Sequence, residues 1–183
     1  MPSVPHQIDG PVAVIGDVHG QTEKLRQIIG QLARLPDVQR RWIVFIGDLV
    51  DRGPDPAGTV QVFFDLVKQH GRVTWVCGNH ELAMLGSLKM LPSPDYIDYA
   101  GRWVQNYGTR STFESWGVPF GDLDALRQAI PEQQLQVMAD LHVRSFRYTA
   151  DGSQVFFEAF NEPNALAMAY LHNMDPVQTQ NML

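Results

Sequence analysis

The sequence predicts an α/β domain built on a parallel sheet, and two observations carry that prediction. Short apolar runs alternate with segments of helical periodicity through the first half of the chain. Each of the first three runs also ends in a glycine followed by residues that can bind metal or move protons. Strand, helix and strand in repetition imply right-handed βαβ units, with helices covering both faces of the sheet.

The elements follow in order. Val12–Ile15 is an apolar run closed by Gly16, and Leu25, Ile28, Ile29, Leu32 and Leu35 then fall at helical spacing up to Pro36. Residues 42–46 form the second run, closed by Gly47. Val60, Phe63, Phe64 and Val67 continue at helical spacing, with Gly71 as the expected C-cap. The third run, 73–77, is closed by Gly78, and a helix over 82–91 stops at Pro92. Tyr96, Tyr99, Trp103 and Tyr107 then recur every three or four residues, an aromatic stripe expected to pack a helix against the sheet domain. Short helices are expected at 122–129 and at Glu132–Leu141, the latter with Pro131 near its start. A hairpin is expected from strands at 143–149 and 154–160 around Asp151-Gly152. One more helix is expected at 164–172, before a tail without periodicity.

Composition narrows the function classes. The 183 residues suit one domain with a sizeable core, and 44% hydrophobic with 19% charged residues is ordinary for a soluble globular chain. A formal net charge of −6 argues against a general nucleic-acid binder, whose footprint is a basic patch. No run approaches the roughly 18 apolar residues of a membrane span. The opening MPSVPHQIDG has no secretory pattern, so a cytoplasmic location is expected. The single Cys77 closes an apolar run and reads as a buried small hydrophobe.

The chemistry lies at the strand ends: GDVHG, GDLVDRG and GNHE. Ligands of an open parallel sheet bind beyond the carboxyl ends of its strands, so these loops should converge. Asp17 and His19 are two apart and point the same way in an extended segment. Asp48 adds a carboxylate that can bridge two ions, and Asn79 offers an amide oxygen. Oxygen and nitrogen donors without cysteine suit Mn²⁺ or Fe, or Zn²⁺ with expanded coordination. Arg52 can fork onto phosphate oxygens. His80 can protonate a leaving alkoxide, oriented by a carboxylate such as Asp51. Singly, each motif has a structural explanation: a turn or cap at Asp17, a surface ion pair of Asp51 and Arg52, or His80 and Glu81 opening a helix. Three in order, after three apolar strands, point to a site.

Together the three motifs resemble the signature of the calcineurin-like metallophosphoesterases. The likeness is greatest to the phosphoprotein phosphatase branch, which also holds bacterial serine/threonine phosphatases and diadenosine tetraphosphatases. The resemblance implies a sandwich with a βαβαβ core at about 10–91, a helical insertion at about 92–141, and a hairpin and tail at 142–183 of one domain. It implies two divalent ions, Mn²⁺ first, with Asp17, His19 and Asp48 binding one, and Asp48 and Asn79 contributing to the other. It implies His80 as general acid supported by Asp51, phosphate held by Arg52 and Asn79, and a metal-activated water attacking a phosphoric monoester. The acid in DRG and the glutamate in GNHE resemble the protein phosphatases more than the bis(5'-nucleosyl)-tetraphosphatases. The expected substrate is a phosphorylated protein or a nucleotide.

The second half departs from that pattern. The family completes its second metal site with a histidine at a fourth motif and another in a later Gly-His, and after GNHE only His142 and His172 remain. The nearest match to the fourth motif is VFFEAFNEP, with Glu158 in the place of the histidine and Phe160 in that of the glycine. Glu158 is thus a candidate ligand, as a carboxylate suits a hard ion. The alternatives are a truncated or diverged end and an inactive remnant that binds metal or phosphate. Either leaves an incomplete second sheet and an exposed edge open to self-association.

Overall fold

The computed structural model describes residues 7–8, 10–91, 98–141, 145–150 and 153–158, with the backbone alone for the strands at either end. It begins with a two-residue strand, β1 (Gln7–Ile8), which the sequence pattern does not signal. The expected core follows: β2 (Val12–Ile15), α1 (Thr22–Leu32), a 3₁₀ turn at Val38–Arg40, β3 (Trp42–Phe45), α2 (Pro56–Gln69), β4 (Val73–Trp75) and α3 (Asn79–Ser87). Strands β2, β3 and β4 form a parallel sheet in that order, with Val12 opposite Trp42 and Ile43 opposite Val73. Four helices follow, here called the insertion: α4 (Tyr99–Asn106), α5 (Arg110–Ser115), α6 (Leu123–Ala129) and α7 (Glu132–Leu141). The expected hairpin is β5 (Ser145–Ala150) against β6 (Ser153–Glu158), antiparallel, with β1 beside β5 in a second sheet. The helix expected at 164–172 lies outside the described residues.

Local chemistry sets the helix starts. Asp55, Asp98 and Asp122 each accept the backbone N–H three residues on, from Gly58, Gly101 and Ala125, at 2.8–2.9 Å. Pro56 occupies the first position of α2, where its missing N–H would be unpaired anyway. Helix α3 starts at Asn79, three residues before the apolar pattern does. Its N-cap is Gly78, and Glu81 at the third position reaches back to the Gly78 N–H at 3.3 Å. The helix stops at Leu88, where Lys89 turns left-handed (φ 58°) and the Met90 N–H donates to the Leu85 carbonyl.

The core sits between the central strand and α2. Phe63 meets Phe45 and Trp75 edge-on at 5.1 and 5.4 Å, and all three are sealed from solvent. Cys77 is buried as expected. The described part of the aromatic stripe packs on the sheet domain through α3: Tyr99 lies over Gly86, whose missing Cβ makes the room. Among the described residues the expected cover of both sheet faces is incomplete beside β2, where Val14 on β2, Ile28 on α1 and Ile46 after β3 stay 45%, 43% and 38% exposed. No helix among the described residues is long and apolar enough to cross a membrane.

Two glycines let the strand ends approach. Gly47 has φ 96°, and a Cβ there would fall on the Gly78 backbone, while Gly78 in turn faces Asp48. Gly47→Ala should therefore lower the melting temperature by roughly 5–10 °C, from about 1–3 kcal/mol of overpacking added to left-handed strain. Gly71→Ala, with open space at its Cβ, should shift it by about 1 °C or less. Thermal unfolding followed by circular dichroism compares the two.

Candidate active site

The loop after β3 is held in a conformation that its residues do not choose. Asp48, Asp51 and Arg52 have φ of 53°, 67° and 64°, and His19 on the neighbouring loop has 43°. Each such residue costs about 1–2 kcal/mol relative to ordinary backbone, so the surroundings must impose the shape. Glu81, sealed from solvent, does most of this. Its Oε2 accepts the Asp48 N–H at 2.8 Å and its Oε1 those of Leu49 and Val50 at 2.7 and 3.0 Å. The first loop is tied on in turn: the N–H groups of Val18 and His19 donate to the Asp48 carbonyl, and that of Gly20 to the Leu49 carbonyl. The insertion closes the far side, with Arg52 N–H donating to the Gly108 carbonyl.

On this frame Asp48 and His19 turn toward one point. Asp48 is nearly buried, and its Oδ1 accepts the His80 N–H at 3.2 Å in the first turn of α3. A carboxylate is favoured at the positive end of a helix. That leaves Oδ2, which lies 3.8 Å from His19 Nε2. His19 Nδ1–H donates to the Val50 carbonyl at 2.8 Å, so Nε2 carries the lone pair, which now accepts from Arg52 Nη1 at 3.2 Å. Ligand atoms of His19, Asp48 and His80 all lie within 4.8 Å of one another.

The electrostatics of this point ask for a cation. Burial pushes the Asp48 carboxyl above its usual range, opposed by His80 and His19 and reinforced by Asp17. Burial, then the Asp48 charge, pushes Glu81 up to about 8, against the backbone donors that favour its ionised form. A positive charge beside Asp48 relieves both acids.

A second arrangement adjoins the first. His80 and Asp51 are buried, and His80 Nδ1–H donates to Asp51 Oδ2 at 2.7 Å. The same oxygen accepts Trp103 Nε1–H at 2.8 Å, and Oδ1 accepts the Thr112 hydroxyl at 2.5 Å. The His80 ring stands edge-on between His19 and Tyr107, at 4.6 and 4.8 Å.

The candidates from sequence thus fall into groups. His19, Asp48, Asp51, Arg52 and His80 converge. Asn79 opens α3 and bonds the Tyr107 hydroxyl, whose pKa burial raises. Asp17 is exposed and outside the three-residue cluster; it lines a neighbouring cavity of about 350 Å³ with Val14, Lys24 and Ile28. Glu158 ends β6, opposite Ser145, and its side chain lies outside the described residues. Sequence reasoning missed four contributors. Glu81 read as an acid opening a helix, although its place three residues after Gly78 is a capping signal. Trp103 and Tyr107 read as packing from their stripe. Thr112 carried no signal.

The profile of the calcineurin-like phosphoesterase family matches residues 10–173. A Caenorhabditis elegans protein named as a serine/threonine-protein phosphatase is 37% identical over 83 residues, 45% of this chain and 18% of its own length. An asymmetrical bis(5'-nucleosyl)-tetraphosphatase of Oceanobacillus iheyensis is 35% identical over 75 residues, 38% of this chain and 30% of its own. The chain therefore aligns with less than a third of these relatives. A crystal structure named for a diadenosine tetraphosphatase superposes with a TM-score of 0.46 at 21% identity, covering 78% of this chain and 50% of that one.

Glu81→Gln tests the lock. An amide places an NH₂ against backbone N–H donors, so stability should fall by about 2–3 kcal/mol, the loss expected for buried donors left without an acceptor. Urea unfolding should show a lower midpoint at unchanged slope.

Proposed function

This chain belongs to the calcineurin-like phosphoesterase family, and on that premise we propose that it hydrolyses phosphoric monoesters with divalent metal, in the manner of a serine/threonine protein phosphatase. The observation that carries the proposal is the meeting of two arrangements at the start of α3. Asp48 and His19 face a common point, and the His80–Asp51 pair stands beside it.

The donors fit a divalent ion. His19 presents an imidazole lone pair and Asp48 a free carboxylate oxygen, beside two buried acids that burial pushes toward the protonated form. We assign Asp17, His19 and Asp48 to one ion and Asp48 and Asn79 to a second, with Glu158 as a further ligand. Nitrogen and oxygen donors without thiolate favour Mn²⁺, then Fe or Zn²⁺. A bound divalent ion supplies Lewis acidity to a phosphate ester and makes a water nucleophilic.

The chain's own groups do the rest. The Arg52 guanidinium exchanges its neutral His19 partner for the phosphoryl oxygens, a charge-assisted and therefore stronger contact. Asn79 adds an amide to the phosphate. His80, with Nδ1–H committed to Asp51, holds the transferable proton on Nε2 and passes it to the departing alkoxide. Asp51, bonded to Nδ1–H, keeps that orientation. A nucleotide substrate is the second reading, favoured by the likeness to the Oceanobacillus tetraphosphatase.

Calorimetry with Mn²⁺ should show a site that Asp48→Asn weakens at least about tenfold, since that change keeps the His80 N–H acceptor but removes the charge. Turnover of p-nitrophenyl phosphate with Mn²⁺, beside a phosphopeptide and diadenosine tetraphosphate, separates the two substrate readings. Arg52→Ala should raise KM and weaken inhibition by inorganic phosphate, by roughly tenfold for one charge-assisted contact.

A further inference from the structure

We infer that Trp103 and Thr112 of the helical insertion are positioning residues for proton transfer, acting on His80 through Asp51. The inference rests on the role proposed above for His80. Asp51 is wholly buried and left-handed. A buried carboxylate needs donors on both oxygens, or its charge is costly and its orientation loose. Trp103 donates to the oxygen that also receives His80, and Thr112 to the other. The Thr112 oxygen also accepts the backbone N–H of Asp51 at 3.1 Å. One threonine therefore grips Asp51 at backbone and side chain together, and the carboxylate cannot rotate without breaking the three bonds its oxygens accept.

These donors lie 52 and 61 positions beyond Asp51, on different helices. Both are sealed from solvent. Packing alone explains neither placement: an apolar ring would fill the Trp103 site, and a valine has the shape of Thr112. What the polar atoms add is a fixed Asp51, and with it a fixed Nδ1–H on His80. The helical insertion thereby sets the geometry of the acid.

The test uses the full chain with Mn²⁺ and two esters, p-nitrophenyl phosphate with a good leaving group and phenyl phosphate with a poor one. A general acid matters most for the poor one. Trp103→Phe and Thr112→Val should each lower kcat for phenyl phosphate about tenfold, a fraction of the 10²–10⁴ that a whole acid contributes. They should lower kcat for p-nitrophenyl phosphate less than about threefold and leave KM unchanged, and Thr112→Ser should retain parent behaviour. Equal losses on both esters, or no loss on either, overturn the inference. A second readout is independent of turnover. The downfield proton resonance of His80 Nδ1–H, identified by its absence in His80→Asn, should weaken or move in Trp103→Phe and Thr112→Val and return in Thr112→Ser. If the parent hydrolyses neither ester, the phosphatase reading fails and this resonance alone decides. An unchanged signal in both variants then overturns the positioning role.

Discussion

Glu81 is a carboxylate buried to take the place of water for a strained loop. It accepts three successive N–H groups from Asp48 to Val50, and the Gly78 N–H from its own helix. Without it these donors would be buried and unpaired, each at about 1–3 kcal/mol. That one side chain bolts the end of β3 to the start of α3. The loop after β2 hangs on the same frame through the Asp48 and Leu49 carbonyls. Strained backbone at Asp48, Asp51, Arg52 and His19 is thus a product of the frame, and it aims four functional side chains at one place.

The frame gathers buried acids as well as setting geometry. Asp48 and Glu81 are both buried and both pushed toward the protonated form. The start of α3 offsets part of that, through the His80 N–H on Asp48. Arg52 stands over the outside face, on His19. We propose that a site poised this way takes a divalent cation within and an anionic ester over it. The insertion contributes on the other flank, where Trp103 and Thr112 saturate Asp51.

Much of this was legible from spacing. Apolar runs closed by Gly16, Gly47 and Gly78 announced the parallel sheet, because a buried strand needs continuous hydrophobicity and a sharp exit. Asp17, His19, Asp48, Asp51, Arg52, Asn79 and His80 stood out because such residues have no packing reason to sit at a strand end. What stayed hidden depends on tertiary placement. Glu81 looked like a helix-opening acid, since nothing local shows which backbone donors it meets. Thr112 lies on α5, a six-residue helix too short to show a period. Trp103 announced its buried ring but not the partner of its N–H. The open β2 edge at Val14 and Ile28 likewise follows from what packs there, which strand periodicity does not encode.

The central claim is that the frame around Glu81 makes a divalent-metal site between His19 and Asp48. The most direct measurement is an anomalous difference map from crystals grown with Mn²⁺. The account predicts a peak within coordination distance of His19 Nε2 and Asp48 Oδ2, with Arg52 no longer on His19. Crystals that hold Mn²⁺ elsewhere, or none at this point while Arg52 stays on His19, would contradict it.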